Sequence, residues 1–270
     1  MTEGRDPLVR RLRRLRRERA LRDAEGVLVA EGVHLAEEAL TSGATVLHAA
    51  VSPRLSRVVG GPELHERMIR AGFPITEMSD DLLATLQDAR SPQPVVLIVQ
   101  RPVPAVFPGK GSMWVVAYGL QDPGNLGTLA RTSLAAGADG LVVVGPGVDP
   151  FHPRAVRATA GAVFRFPTHI AADLVAVCAQ LREAGLAIVA ADPRRGLRYD
   201  AYDWNAPFAV LLGSEGAGLP AALDGWLDAR VVIPLAAGVD SLSVSAAAAV
   251  LLFAASRARG FSPISGSPAG

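Results

Sequence analysis

Apolar residues recur along this chain in two rhythms. Over residues 7–22 they fall at Leu8, Leu12 and Leu15 with arginines between them, a helical spacing. Short segments rich in apolar and β-branched residues follow at Val27–Ala30, Val46–Val51, Ile75–Met78 and Val95–Gln100, and these predict strands. Helices are predicted between them. Val33–Ser42 is closed by Gly43, Pro62–Ala71 by Gly72, and Leu82–Ala89 is preceded by Ser79-Asp80-Asp81, which place a cap and two acids at its start. Residues 101–112 hold prolines and glycines that fit neither a helix nor a sheet interior, so they read as a linker. The second half alternates again. Strands are predicted at Met113–Tyr118, Leu141–Val144, Phe164–Thr168, Ala187–Ala191, Ala209–Leu212 and Val231–Ile233. Helices are predicted from Asn125 to Ala136, at Pro153–Thr159 and Leu174–Ala184, and at Ser243–Arg259. Such alternation implies an α/β fold whose second module has a parallel sheet covered on both faces. The Ser/Pro/Gly-rich residues 262–270 read as a disordered tail.

Half of the 270 residues are hydrophobic, enough for a buried core in one or two domains. The longest apolar run, Ser245–Ala255, falls far short of the ~20 residues of a membrane span. Cys178 is the only cysteine, so neither an intramolecular disulfide nor a zinc cluster is expected. The arginine-rich N-terminus has no apolar stretch of the secretory kind, and the chain reads as cytoplasmic. Net charge is +1, but residues 1–22 contain nine arginines against three acids. A basic arm on a mildly acidic body fits attraction to phosphates, with Arg14 and Arg17 among the contacts.

Three local patterns carry chemistry. The first is Asn125-Leu126-Gly127-Thr128-Leu129-Ala130-Arg131-Thr132, the second Gly213-Ser214-Glu215-Gly216-Ala217-Gly218-Leu219-Pro220. The third is Ile233-Pro234-Leu235 followed by Asp240-Ser241-Leu242-Ser243-Val244-Ser245. Strand ends running into turns and a serine-rich helix start offer backbone groups to a polar ligand. The glycines of the second pattern do not have the G-x-G-x-x-G spacing of a dinucleotide fold, which argues against a nicotinamide-linked oxidoreductase. Asn125 and Arg131 are six residues apart and share no helical face; with Asn125 in a loop, Arg131 could reach a pocket from the second turn. His152, beside Pro153, reads as a turn residue rather than a general base.

In this order the three patterns resemble the signature motifs of the SpoU/TrmH branch of the SPOUT RNA 2′-O-methyltransferases. The segment Val29-Ala30-Glu31-Gly32-Val33-His34-Leu35-Ala36-Glu37-Glu38-Ala39 resembles the ribosomal-protein-L30e-like domain that precedes the catalytic domain in many SpoU-type enzymes. The resemblance implies residues 1–100 as a basic arm and RNA-binding domain, 101–112 as linker and 113–261 as a SPOUT domain with a deep trefoil knot. It implies S-adenosylmethionine as cofactor, held by Leu212, Gly213, Gly218, Ile233, Leu235, Ser241 and Leu242, and no metal. It implies Arg131 as the catalytic residue, with Asn125, Glu215 and Ser243 beside it, and Arg154, Arg157 and Arg165 as substrate contacts. The family's usual asparagine is replaced here by Ser243. The implied activity is methylation of a ribose 2′-hydroxyl by a homodimer, with 23S rRNA favoured by the front domain. A tRNA substrate and a non-catalytic RNA-binding role are the alternatives.

Overall fold

The structure is a computed structural model that describes residues 6–88, 91–103, 107–108 and 113–260. The expected tail, Arg5, Ala89 and much of the expected linker lie outside the described residues. The chain forms two compact units. Unit 1 comprises Met1–Pro104, Gln121–Arg131 and Val148–Pro167; unit 2 comprises Ala105–Leu120, Thr132–Gly147 and Thr168–Gly270.

Unit 1 opens with α1 (Pro7–Arg17) and α2 (Arg19–Glu25). The single helix expected over 7–22 is broken at Glu18, whose backbone is extended and whose carboxylate pairs with Arg14 at 2.8 Å. Asp6 caps α1 by accepting the Leu8 N–H at 2.7 Å. A mixed sheet follows, of β1 (Val27–Glu31), β2 (Val46–Val51), β3 (Ile75–Glu77) and β4 (Val95–Gln100), in the order β1-β4-β2-β3. β4 runs antiparallel to β1 and β2, and β2 is parallel to β3. The helices among these strands are α3 (Val33–Thr41), α4 (Gly61–Ala71) and α5 (Asp80–Thr85), the last capped by Ser79. Successive strand residues face opposite sides, so one sheet builds two cores. Val27, Val29, Val96 and Ile98 pack with Leu8, Leu12 and Leu15 of α1. Leu28, Ala30, Leu97 and Val99 pack with Leu35, Leu64 and Met68, and with Phe151, Val156, Val163 and Phe164 from the later part of unit 1.

The boundary between the units falls inside α6 (Pro123–Ala135), after Arg131; α7 (Pro153–Ala158) belongs to unit 1. The strand expected at Phe164–Thr168 does not form. Gly161 turns left-handed (φ +92°), Ala162–Phe164 wind into a 3-10 turn, and both flanking aromatics, Phe164 and Phe166, are buried.

Unit 2 is built on seven parallel strands: β5 (Met113–Tyr118), β6 (Gly140–Val144), β7 (Thr168–Ala171), β8 (Ala187–Ala191), β9 (Leu197–Arg198), β10 (Phe208–Leu212) and β11 (Ala229–Val232). Their order is β7-β6-β5-β10-β8-β11-β9, and β5, β6 and β10 are buried along their lengths apart from Tyr118. Helices α8 (Leu174–Glu183) and α9 (Val244–Ala258) complete it. Asp173 caps α8, whose Leu174, Val177, Cys178 and Leu181 join Trp114, Val116, Ile188 and Leu211 in the core. Among the described residues no helix is long and apolar enough to cross a membrane.

Candidate active site

In a parallel α/β sheet, ligands gather outside the carboxyl ends of the strands. The strand order of unit 2 sets β5, β10, β8 and β11 side by side, so the loops that follow them leave from one edge. The ends of β10 and β11 are separated by β8, two strand spacings or about 10 Å. That span suits a nucleoside laid across the edge.

Leu212 is the buried last residue of β10. Gly213 follows where no side chain fits: an added Cβ would lie 2.6 Å from both the Gly218 oxygen and the Leu219 nitrogen. The chain closes on itself there. Ser214 and Gly218 form an antiparallel bridge, the Gly218 N–H donates to the Ser214 oxygen at 3.0 Å, and the Ala217 N–H donates to Ser214 Oγ at 3.2 Å. Gly218 sits at φ +65°, so the turn needs a glycine. Glu215 lies exposed at its tip.

Beyond β11, Ile233 and Leu235 are half-buried, Ser241 is exposed and Leu242 keeps 38% of its surface open. Ser243 is the residue that caps α9; its Oγ accepts the Ala246 N–H at 3.3 Å. Half-exposed aliphatics beside free-ended strands provide the apolar walls and main-chain groups an adenine ring requires. The far end of α9 is fixed within unit 2: Ser256 Oγ donates to the Leu252 oxygen at 2.9 Å and also bonds the Ala136 carbonyl. Arg259 lies over the Phe208 ring and donates to the carbonyls of Trp204 and Ala206, each at 2.8 Å.

One loop at this edge carried no motif in the sequence. After β8, Asp192 Oδ1 accepts the N–H groups of Arg194 and Arg195 at 2.9 and 3.2 Å, and its Oδ2 takes Arg230 Nη1 at 3.1 Å. Burial pushes the Asp192 carboxyl up, but these donors outweigh it and hold it below the usual carboxylate range. The Asp-Pro…Gly turn after an apolar run was its only signal.

Unit 1 carries the candidate catalytic and substrate arginines. Asn125 is the third residue of α6 and not a loop residue; its N–H donates to Asp122 Oδ1 at 2.8 Å. Arg131 is exposed two turns further on, about 240° around the helix from Asn125. The second turn of α6 lies close against α7, where a Cβ on Gly127 would overlap the Ala155 oxygen. His152 caps α7 by accepting the Arg154 N–H on Nδ1 at 3.2 Å, and burial, then Arg22, push its pKa down.

The arginines around α7 differ in their partners. Arg154 is exposed, with Asp122 4.0 Å away. Arg157 Nη1 donates to Glu31 Oε2 at 2.9 Å, and Arg165 Nη2 to Glu38 Oε2 at 2.8 Å. A phosphate would have to compete with those carboxylates, so Arg154 is the most open of the three. The Glu31 side chain is fully buried, and burial pushes its pKa up against the opposing Asp88 N–H and Arg157. Before α7, Asp149 Oδ2 takes the buried Arg22 through Nε and Nη2 at 3.0 and 2.6 Å. Arg22 therefore serves the core of unit 1 and not a charged arm.

A model of the SpoU rRNA methylase family matches residues 112–253, and one of the MRM3-like substrate binding domain matches residues 6–97. The chain is 29% identical to the 23S rRNA (guanosine(2553)-2'-O)-methyltransferase RlmP of Bacillus subtilis, over 82% of this chain and 84% of the relative. Among solved structures, the AdoMet-bound rRNA methyltransferase of Sinorhizobium meliloti superposes with a TM-score of 0.80 at 33% identity, covering 94% of this chain and 95% of that one. The SpoU methyltransferase AviRb of Streptomyces viridochromogenes, in complex with AdoMet, gives a TM-score of 0.82 at 26% identity over 94% of this chain and 99% of that one.

Proposed function

Because the chain belongs to the SpoU rRNA methylase family, we propose that it methylates a ribose 2′-hydroxyl of RNA with S-adenosylmethionine as donor, and that its target is 23S rRNA. The observation that carries this reading is the closed turn at Gly213–Gly218 after β10, with the Ile233–Leu242 segment following β11 two strands away on the same carboxyl edge of a parallel sheet. The residues fit the donor: Gly213 leaves the strand end bare, and Ile233, Leu235 and Leu242 supply apolar walls. When bound, S-adenosylmethionine supplies a methyl carbon activated by its sulfonium. Arg131 orients and polarises the ribose hydroxyl. Its guanidinium acts by charge and hydrogen bonding, and the hydroxyl proton passes to a phosphate oxygen or water. Arg154 is the substrate arginine best placed to meet a phosphate.

Residues 1–100 act as the RNA-recognising domain and 113–261 as the transferring domain, in line with the two family models. The protein works as a cytoplasmic homodimer with a trefoil knot in its last third. The exposed Phe253 on α9 and the open Leu242 support an apolar contact between copies. Arg131→Ala should abolish methyl transfer to 23S rRNA while S-adenosylmethionine still binds by calorimetry; full turnover in that variant refutes the catalytic assignment. Mapping 2′-O-methyl positions on total RNA with and without the protein identifies the nucleotide. One observation favours a non-catalytic RNA-binding role instead: Ser243, where the family has asparagine, uses its Oγ to cap α9. Absence of S-adenosylmethionine binding, with or without RNA, would decide for that role.

A further inference from the structure

Nine arginines crowd residues 1–22, and the structure sorts those it describes into two groups. Four are paired with carboxylates, and Arg16 is tied to backbone carbonyls. Arg11 pairs with Glu25 at 2.7 Å, Arg14 with Glu18 at 2.8 Å and Arg19 with Asp23 at 3.5 Å. Arg22 is buried on Asp149, and Arg16 donates to the carbonyls of Thr85 and Gln87 at 2.9 and 2.7 Å. Arg10, Arg13 and Arg17 have no ion pair among the described residues. Arg10 and Arg17 are exposed and Arg13 is half-buried.

These three stand at i, i+3 and i+7 of α1, so they fall within an arc of about 60° and rise about 10 Å along the axis. The arc faces away from the buried Leu8, Leu12 and Leu15. We infer that Arg10, Arg13 and Arg17 form a stripe that docks the phosphate backbone of folded ribosomal RNA, while the other arginines near it hold unit 1 together. This rests on the methyltransferase reading and extends it to a substrate contact that neither Arg14 nor the arginines around α7 provide. Guanidiniums spaced along one helix face suit a row of phosphates and carry no base information. An RNA is favoured over a membrane because the apolar residues of α1 are already in the core, leaving no face to insert into lipid. The family model for a substrate binding domain begins at residue 6, next to this helix.

The test uses the full-length protein and deproteinised 23S rRNA across a salt series. The Arg10→Gln/Arg13→Gln/Arg17→Gln variant should bind about 10- to 100-fold more weakly near physiological salt. Its slope of log affinity against log salt should be shallower by about 2–3, since each phosphate contact contributes about 0.7–0.9. Its S-adenosylmethionine affinity and thermal melting should match the wild type. Two comparison proteins guard the interpretation. Arg11→Gln/Glu25→Gln removes a neutral pair and should leave affinity within about threefold. Arg54→Gln/Arg57→Gln/Arg70→Gln removes the same charge elsewhere in unit 1, and an equal loss there would show that net charge, not the stripe, is what RNA senses. An unchanged slope in the stripe variant overturns the inference alone. So does loss of binding to phosphatidylcholine–phosphatidylserine vesicles with RNA binding intact. Failure of the wild-type protein to bind rRNA or to transfer a radiolabelled methyl group to it overturns the methyltransferase reading and the stripe together.

Discussion

Removing the Asp149 carboxylate should unlatch unit 1 without touching unit 2. Arg22 is 1% exposed and makes four hydrogen bonds: two to Asp149 and two to the carbonyls of Leu15 and Arg16. Asp149 also accepts the Phe151 N–H at 2.9 Å, so one carboxylate joins α2, the end of α1 and the strand-free stretch entering α7. Asp149→Ala leaves a guanidinium buried with no counter-charge, a change that costs about 3–5 kcal/mol. At 1.4 kcal/mol per factor of ten, amides of residues 8–25 and 150–158 should exchange with solvent about 150- to 4,000-fold faster. Hydrogen exchange is the appropriate assay. Trp114, Trp204 and Trp226 are the chain's three tryptophans and all lie in unit 2, so their fluorescence does not report on unit 1. Replacing both partners, Arg22→Met with Asp149→Leu, should recover most of the loss, because the cost lies in the stranded charge and not in the missing pair. Exchange in Asp149→Ala within about fivefold of wild type would refute the reasoning.

Gly213→Ala should weaken S-adenosylmethionine binding at least ~10-fold in calorimetry, since a methyl there must displace the Gly218–Leu219 backbone; an unchanged Kd would mean the turn is not the donor site. Cys178 is fully buried and its thiol is pushed up to about 11 by that burial. It should resist a disulfide reagent in the native state and react only as unit 2 opens; modification at the rate of free cysteine would contradict its packing. Burial holds the Glu31 carboxyl above its ordinary 4.5 in the folded chain. Folded unit 1 therefore keeps a proton that the unfolded chain releases, and this contribution to stability, present below about pH 4.5, is lost as pH rises through the raised value. Glu31→Gln should flatten that decline in β1 exchange protection, and parallel pH profiles for wild type and variant would rule it out.

Runs of buried β-branched and aliphatic residues made β2, β4, β5 and β8 legible to the residue, because a strand covered on both faces advertises itself in its own sequence. The glycine turn at Gly213–Gly218 and the serine start of α9 were legible for the same reason: each is closed by its own neighbours. β9 is two exposed residues, and β7 is a half-exposed edge strand, so neither leaves a hydrophobic trace. The aromatics at Phe164 and Phe166 imitate a strand but are drawn into the core of unit 1 around a 3-10 turn. The helix expected from Asn125 begins two residues earlier, at Pro123, with Asp122 before it accepting the Asn125 N–H. The charge pairs were the least legible. Arg157 and Arg165 meet Glu31 and Glu38 across 126 and 127 residues, and no count of arginines can tell a phosphate ligand from a carboxylate's partner.

The interruption of unit 1 by the strands of unit 2 bears on how this protein can be re-engineered. Family models part the sequence between residues 97 and 112, which invites cutting there to graft a new recognition head onto the same enzyme. Such a graft would leave Phe151, Val156, Val163 and Phe164 without the leucines and valines they now cover, and Asp149 without Arg22. A workable chimaera must bring its own versions of 121–131 and 148–167, spliced in on either side of β6. Inheritance of a new target by this scaffold is thus a matter of co-adapting three separate stretches of chain, not of exchanging one cassette.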